Sequence, residues 1–395
     1  MPKFFVIAGE ASGDMIGADV ICGLLEEFSS KIEIIGVGGP MMERAGGFCS
    51  MFPFSQISHM GIGEVVRRLP RIIKLINACV KEIERVRPDA IITIDSPEFC
   101  FRVNKRVKGK FPIIHCVAPA VWAWRRGRAK KIHKYADHIL SVFPFEAPYF
   151  AKSKISVSFV GHPAVQNFHN LEGDCFLQKD EAALLKAERR KKLMDELKIS
   201  GDERILCVLP GSRRYEVYNF LPIFSEAARI VQNNAKTKVF PVIVATKQWP
   251  GATDRYSGGY PVVLDADMKR AVFENSAVAI AASGTVGLEL AAHGVPMVVG
   301  YKAPKITELI LRFILKTEWI SLVNISAGRR IVKEFLQNEF TEHNISEEIL
   351  LLLEDEDYAK AQKDELSRVA ESFGHSLSFK KACAQEIARI SGFLS

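Results

Sequence analysis

The heptapeptide Ser283-Gly284-Thr285-Val286-Gly287-Leu288-Glu289 follows the apolar run Ala277–Ala282 and precedes Leu290-Ala291-Ala292. The apolar run reads as a buried strand, the small residues as a tight turn, and the Leu and Ala residues as a short helix stopped by Gly294 and Pro296. A helix start exposes backbone N–H groups and a partial positive charge, a setting suited to phosphate. Gly284 and Gly287 let backbone approach a ligand with no Cβ between. Glu289, one turn on, is placed to accept hydrogen bonds from a ribose diol. A helix-capping turn with a surface Glu accounts for the same residues, and this segment alone does not separate the two readings.

The same unit recurs along the chain. Lys3–Ala8 is a first strand, Gly9-Glu10-Ala11-Ser12-Gly13-Asp14 a glycine-containing loop, and Met15–Phe28 a helix. The loop lacks the lysine of a Walker motif. Glu10 and Asp14 are placed to meet a hydroxyl-bearing ligand, and capping by Ser12 or Asp14 is compatible with that. Pro88–Ile94 reads as a buried parallel strand ending at Asp95-Ser96-Pro97-Glu98-Phe99. Chemistry in open α/β sheets gathers at the carboxyl ends of strands. Asp95 is therefore a candidate to take a proton from an attacking hydroxyl; the rival reading is a helix cap. Ile205–Leu209 leads into Pro210-Gly211-Ser212-Arg213, where a guanidinium is suited to bidentate bonding with a diphosphate.

Strands alternating with helices imply parallel sheets. The expected class is α/β, with a first Rossmann-like domain over 1–165 and a charged linker over 166–203. A second such domain follows over 204–345. A helical tail over 346–395 has the length to pack back onto the first domain or onto a partner chain.

At 395 residues the chain is long enough for two cores, with 48% hydrophobic and 25% charged residues. No apolar run reaches the roughly 20 residues of a membrane span. Lys3–Ala8 runs straight into a turn and is a strand, so a cytoplasmic protein is expected. The eight cysteines are scattered without a C-x-x-C, and the nine histidines form no H-E-x-x-H. They read as reduced packing residues, with no protein-held metal. Residues 1–165 carry 23 Lys and Arg against 15 Asp and Glu, whereas the remainder carries 30 against 31. The excess positive charge thus lies wholly in the first half, where it attracts phosphorylated substrates, anionic lipid or nucleic acid.

Residues 51–76 place large apolar groups in turn-rich chain and then on a helix with a basic face. Phe52, Phe54, Met60, Ile62, Val66, Leu69, Ile72 and Leu75 are candidate acyl or membrane contacts. A core-facing amphipathic helix is the alternative. Val121-Trp122-Ala123-Trp124 beside Arg125, Arg126, Arg128, Lys130 and Lys131 suits a membrane interface or a phosphate, with base stacking as a rival.

Five segments in this order resemble the lipid-A-disaccharide synthase family of GT-B glycosyltransferases: Gly9–Asp14, Asp95–Phe99, Val121–Trp124, Leu209–Arg213, and Ser283–Thr285 with Glu289. The resemblance runs from residue 3 to about 340. It implies two Rossmann-like domains across a cleft and an inverting, metal-independent transfer that needs no cofactor. The donor would be UDP-2,3-diacylglucosamine, the acceptor 2,3-diacylglucosamine 1-phosphate, and the products UDP and a β(1→6) disaccharide phosphate. Asp95 would be the general base, with Glu10 beside it in the catalytic role. Ser12, Gly13 and Asp14 would face the acceptor. Gly211, Ser212 and Arg213 would stabilise the departing diphosphate, Ser283, Gly284 and Thr285 the phosphates, and Glu289 the ribose. Asn324, Glu334 and Gln337 match further donor-side positions. Val323 and Lys333 stand where the family carries prolines, which puts loop stiffness in question. The enzyme would work at the cytoplasmic face of the inner membrane, without nucleic acid, and an oligomer is compatible with it. A UDP-N-acetylglucosamine 2-epimerase shares the architecture, and a non-catalytic basic RNA- or membrane-binding module is the reading from another class.

Overall fold

A computed structural model of the chain describes residues 1–53, 56–57, 62–123, 126–169, 179–304, 317–374 and 377–394. The chain divides into two compact units, Met1–Gln166 with Phe373–Ser395, and Asn167–Ser372.

The first unit carries a six-stranded parallel sheet: β1 (Lys3–Ala8), β2 (Glu33–Val37), β3 (Ala90–Ile94), β4 (Ile113–Cys116), β5 (His138–Ser141) and β6 (Ser156–Phe159). Their order is β2-β1-β3-β4-β5-β6. Helices cover both faces, so β1 from Phe4 onward is a continuous apolar run and β3 is apolar apart from the buried Thr93, with no polar alternation. Phe4, Val6 and Ala8 point into one core with helix Ala11–Glu27 and the C-terminal helix Phe379–Ile390. Phe5 and Ile7 point into the other, with helices Ile62–Val86 and Pro97–Val107. Gly23 lets the C-terminal helix lie close, since a Cβ there would stand 2.2 Å from the Lys380 carbonyl.

The second unit repeats the plan with β7 (Arg204–Leu209), β8 (Val239–Val244), β9 (Val262–Val263), β10 (Ser276–Ala282), β11 (Met297–Tyr301) and β12 (Lys333–Leu336). The order is β12-β11-β10-β7-β8-β9. In each sheet the chain winds outward from its first strand, then returns to that strand's other side. The reversal falls between β1 and β3 in one unit and between β7 and β10 in the other. Parallel register brings Ala8 opposite Ile94, and Leu209 opposite Ala281, so each pair of strands ends together. Ligand sites of open α/β sheets form at these reversals.

Two expected boundaries change. Helix Lys179–Leu197 lies within the expected linker but packs on the second unit, where Arg189 makes two bonds to Glu274 at 2.8 and 3.0 Å. Leu193 is buried, but the apolar residues of this helix do not gather on one face, so hydrophobic patterning does not register its docking. The expected tail also divides: helices Glu342–Glu354 and Glu356–Ser372 belong to the second unit, and only the chain from Phe373 joins the first. Among the described residues, no helix is long and apolar enough to cross a membrane.

Candidate functional site

Two loops meet at the reversal of the first sheet. A Cβ on Gly9 would stand 2.7 Å from the Ser96 hydroxyl, and one on Gly13 would stand 3.8 Å from the Asp95 Cβ. Gly9 thus lets the loop after β1 lie against the loop after β3, whereas at Gly13 the two loops meet at ordinary van der Waals distance. Ser12 is exposed, and its hydroxyl donates to Oδ2 of the half-buried Asp95 at 3.3 Å. Asp95 and Ser96 both occupy the left-handed region, at φ 49° and 43°. Four other non-glycine residues there, Ser29, Ser30, Arg87 and Lys198, end helices, a common use of that conformation. Asp95, Ser96, Val117 and Gln337 instead follow strands β3, β4 and β12. Strain at strand ends needs a different reason, and such residues cluster at functional sites. Glu10, exposed, precedes the helix start beside this loop.

Asp14 has another task. It is buried, and its carboxylate accepts from the backbone N–H groups of Gly39, Met41 and Met42 at 2.9–3.1 Å. These open the helix Pro40–Gly46, so the side chain caps a neighbouring helix and does not meet a ligand. The expectation that it faces the acceptor is corrected; the glycine run before Pro40 is the reason, because it delivers those N–H groups to the carboxylate.

At the end of β5, Glu146 is fully buried. Trp122 Nε1 donates to its Oε1 at 3.1 Å and the Phe143 N–H donates to its Oε2 at 3.3 Å. Burial pushes the carboxyl up to about 8, against the lowering effect of these bonds. Phe143, Phe145 and Phe373 ring the cluster, together with His162, whose imidazole burial holds down at about 4. Sequence reasoning reached Trp122 as an interface residue; the structure makes it the partner of a buried acid.

In the second unit, the loop after β7 folds around Glu216. This residue accepts from the Ser212 and Arg213 N–H groups, each at 3.1 Å, and touches Arg213 Nη1 at 3.4 Å. The Ser212 N–H is therefore spent inside the protein, correcting its expected role toward a diphosphate. Gly211, at φ 95°, is required here: a Cβ would stand 2.3 Å from Glu216 Oε2. The Arg213 side chain is 79% exposed, so its guanidinium keeps its reach. Glu216 was missed in the sequence, although a Glu three residues after a loop residue is a capping-box signal.

Across the sheet reversal, Gly284 and Thr285 are exposed after β10, while the Ser283 hydroxyl is committed to the Ile320 carbonyl at 2.9 Å. Glu289 Oε2 pairs with Lys269 Nζ at 2.6 Å. Asn324 is wholly buried. Its Nδ2 donates to the Val332 carbonyl and to Glu334 Oε1, at 2.9 and 2.8 Å, and its Oδ1 accepts from the Ile331 and Val332 N–H groups. Glu334 also accepts from the Ile320 and Ser321 N–H groups at 3.0 and 2.9 Å. This closed network ties helix Leu322–Ala327 to β12. Direct donor contact by Asn324 is corrected: burial removes it from any ligand. Gln337, half-buried at φ 53°, ends β12.

The lipid-A-disaccharide synthetase family profile matches residues 4–388. A lipid-A-disaccharide synthase of Rhodospirillum centenum is 36% identical over 382 residues, covering 94% of this chain and 90% of the relative. The chain belongs to the lipid-A-disaccharide synthetase family. It is accordingly an enzyme, a hexosyltransferase of lipid A biosynthesis. Among solved structures, a Staphylococcus aureus MnaA–UDP co-structure aligns with a TM-score of 0.64 at 14% identity, covering 100% of this chain and 97% of that one. A glycosyltransferase from Rickettsia africae aligns at 0.60 and 12%, covering 99% and 98%. These likenesses carry the GT-B fold alone; the family match disfavours the epimerase and the non-catalytic module.

For this member of the synthetase family, the apolar stretch also needs correction. Ile72, Ile76, Cys79 and Ile83 recur at helical spacing and are buried in the core beside β1 and β3. Ile72 and Phe52 are thus core residues rather than membrane or acyl contacts, while Leu75 packs half-buried against that core. The helix spends that stripe on its own domain, leaving Ile73 42% exposed between the exposed Arg71 and Lys74. Phe54 and Met60 lie outside the described residues, as do the side chains of Ile62, Val66 and Leu69.

Proposed function

We propose that this synthetase transfers 2,3-diacylglucosamine from UDP-2,3-diacylglucosamine to the 6-hydroxyl of 2,3-diacylglucosamine 1-phosphate, with inversion. The products are UDP and the β(1→6) disaccharide 1-phosphate. The observation that carries the reading is Asp95, oriented by Ser12 at the reversal of the first sheet.

In this mechanism Asp95 takes the proton of the acceptor 6-hydroxyl as its oxygen bonds to the donor anomeric carbon. Ser12 occupies Oδ2 and directs the remaining lone pairs of the carboxylate to the substrate. Glu10 engages the acceptor from the same loop. The bond from the anomeric carbon to the diphosphate breaks, and the leaving charge meets Arg213, already docked by Glu216 and so requiring little rearrangement. Gly284 and Thr285 offer exposed backbone to the phosphates. Glu289 and Gln337 meet the uridine ribose and base, Lys269 holding the Glu289 carboxylate in place. Ser283, Asn324 and Glu334 support these loops from behind.

Both substrates are amphiphiles, which supports peripheral attachment at the cytoplasmic face of the inner membrane. Ile73 with Arg71 and Lys74 is the described part of that surface. Incubating the protein with both lipids and resolving a disaccharide phosphate by thin-layer chromatography tests the function; UDP release without disaccharide contradicts it.

A further inference from the structure

The first unit holds an open basin of about 490 Å³ beside the start of helix Pro97–Val107, two residues along the chain from Asp95. Its apolar floor includes Phe101, buried and stacked on Tyr135 with ring centroids 4.9 Å apart and planes at 3°. One wall carries Arg102 and Lys105 at i, i+3 on the helix. The other carries Arg128 and Lys131 at the same spacing on the 3₁₀ segment Arg126–Lys134, where residues three apart eclipse one another. Glu98 is the carboxylate of the lining and bonds Arg128. Among the described residues, Arg102, Lys105 and Lys131 have no carboxylate partner. All three are exposed, so solvent screens their mutual repulsion and their charged heads are available to an anion entering the basin. Phe101 is itself buried between Tyr135 and His115, so the half-buried Tyr135 is the aromatic group of the lining that a sugar ring can reach, beside a cationic rim that suits a phosphate on that sugar.

We propose that this basin holds the phosphomonoester of the acceptor sugar, and that Arg102, Lys105 and Lys131 make the enzyme specific for a phosphorylated acceptor. The inference rests on the function proposed above. Scale agrees with it. Arg102 stands five residues into the helix from Pro97, a rise of about 7.5 Å. That is comparable to the span of one hexose, whose hydroxyl at C6 would lie at Asp95 with its C1 phosphate over the basin. Arg128, held by Glu98, braces the wall.

The test pairs each variant with a change in substrate. Arg102→Gln, Lys105→Gln and Lys131→Gln are assayed with 2,3-diacylglucosamine 1-phosphate and with the same lipid lacking phosphate. Each variant is expected to raise the KM for the phosphorylated acceptor about tenfold, the size of one lost charge-assisted bond. The kcat and the donor KM should hold, and the dephosphorylated acceptor should not distinguish variant from wild type. Equal losses on both acceptors, or no loss on either, overturn the proposal. Sedimentation with phosphatidylglycerol vesicles gives the other source of phosphate: variants that lose vesicle binding yet keep acceptor discrimination also overturn it. Direct titration of 2,3-diacylglucosamine 1-phosphate in detergent reads the basin without turnover. Weaker binding by the variants supports the site even if no disaccharide forms, a result that would refute only the proposed reaction; unchanged binding refutes the site.

Discussion

The Ser12 hydroxyl donates to Oδ2 of Asp95 across 3.3 Å, joining the loop after β1 to the loop after β3. Eighty-three residues separate the two in sequence. The close approach of the two loops depends on Gly9, where a Cβ would stand 2.7 Å from the Ser96 hydroxyl. If Ser12 orients the base, Ser12→Ala should lower kcat about fivefold, the worth of one long, exposed hydrogen bond to a carboxylate. Both KM values should hold. A change confined to KM would assign Ser12 to substrate binding.

Asn324 and Glu334 predict a stability effect. Asn324→Ala leaves the Ile331 and Val332 N–H groups and the Val332 carbonyl without that partner. Chemical denaturation should show the second unit destabilised by about 3 kcal/mol. A stability matching wild type, accompanied by weaker donor binding, would restore Asn324 to the ligand.

Gly211→Ala forces a side chain into a left-handed position and against Glu216. The strained backbone alone should cost at least about 1 kcal/mol, and the displaced Arg213 should raise the KM for the UDP-sugar. Glu216→Gln should reproduce the KM effect more mildly. Wild-type donor kinetics in both would detach Arg213 from the leaving group.

Glu146 sets a pH dependence of stability. Burial keeps its carboxyl protonated up to about 8 in the native state, against an ordinary value of 4.5. Between these values the native state holds a proton that the unfolded chain has released, so stability falls as pH rises from about 4.5 to 8. Glu146→Gln retains an acceptor for Trp122 and has no charge to bury. Thermal melts at pH 6 and pH 9 should therefore differ less in the variant than in wild type, with the variant the more stable at pH 9. An equal pH response would locate the titrating group elsewhere.

For membrane attachment, Ile73→Glu should reduce flotation with anionic liposomes at low salt while leaving the melting temperature unchanged. Unaltered flotation would move attachment off this helix.

The architecture was legible because apolar runs and small-residue turns mark every strand end that matters. Phe4–Ala8 and Ala277–Ala282 are continuous apolar runs, and the loops after them fall at the reversals of their sheets. Direction was not legible. Asp14, Ser212, Asn324 and Glu334 are all polar residues at or near element ends, and residue type does not reveal whether a hydrogen bond is spent inside the protein or kept for a ligand. The stripe Ile72-Ile76-Cys79-Ile83 shows the same gap for apolar residues: its period gives a helix face, not what covers it. Helix Lys179–Leu197 has little amphipathic signal and docks through Arg189 and Glu274, so it read as linker. Glu146 became visible only when its burial beside Trp122 was seen.

The most direct measurement compares disaccharide formation by wild type and Asp95→Asn under saturating donor and acceptor, with folding checked by melting temperature. General-base removal predicts a fall in kcat on the order of 10²–10⁴ with UDP-sugar binding retained. A kcat within a few-fold of wild type would show that another group takes the acceptor proton, and would contradict the mechanism.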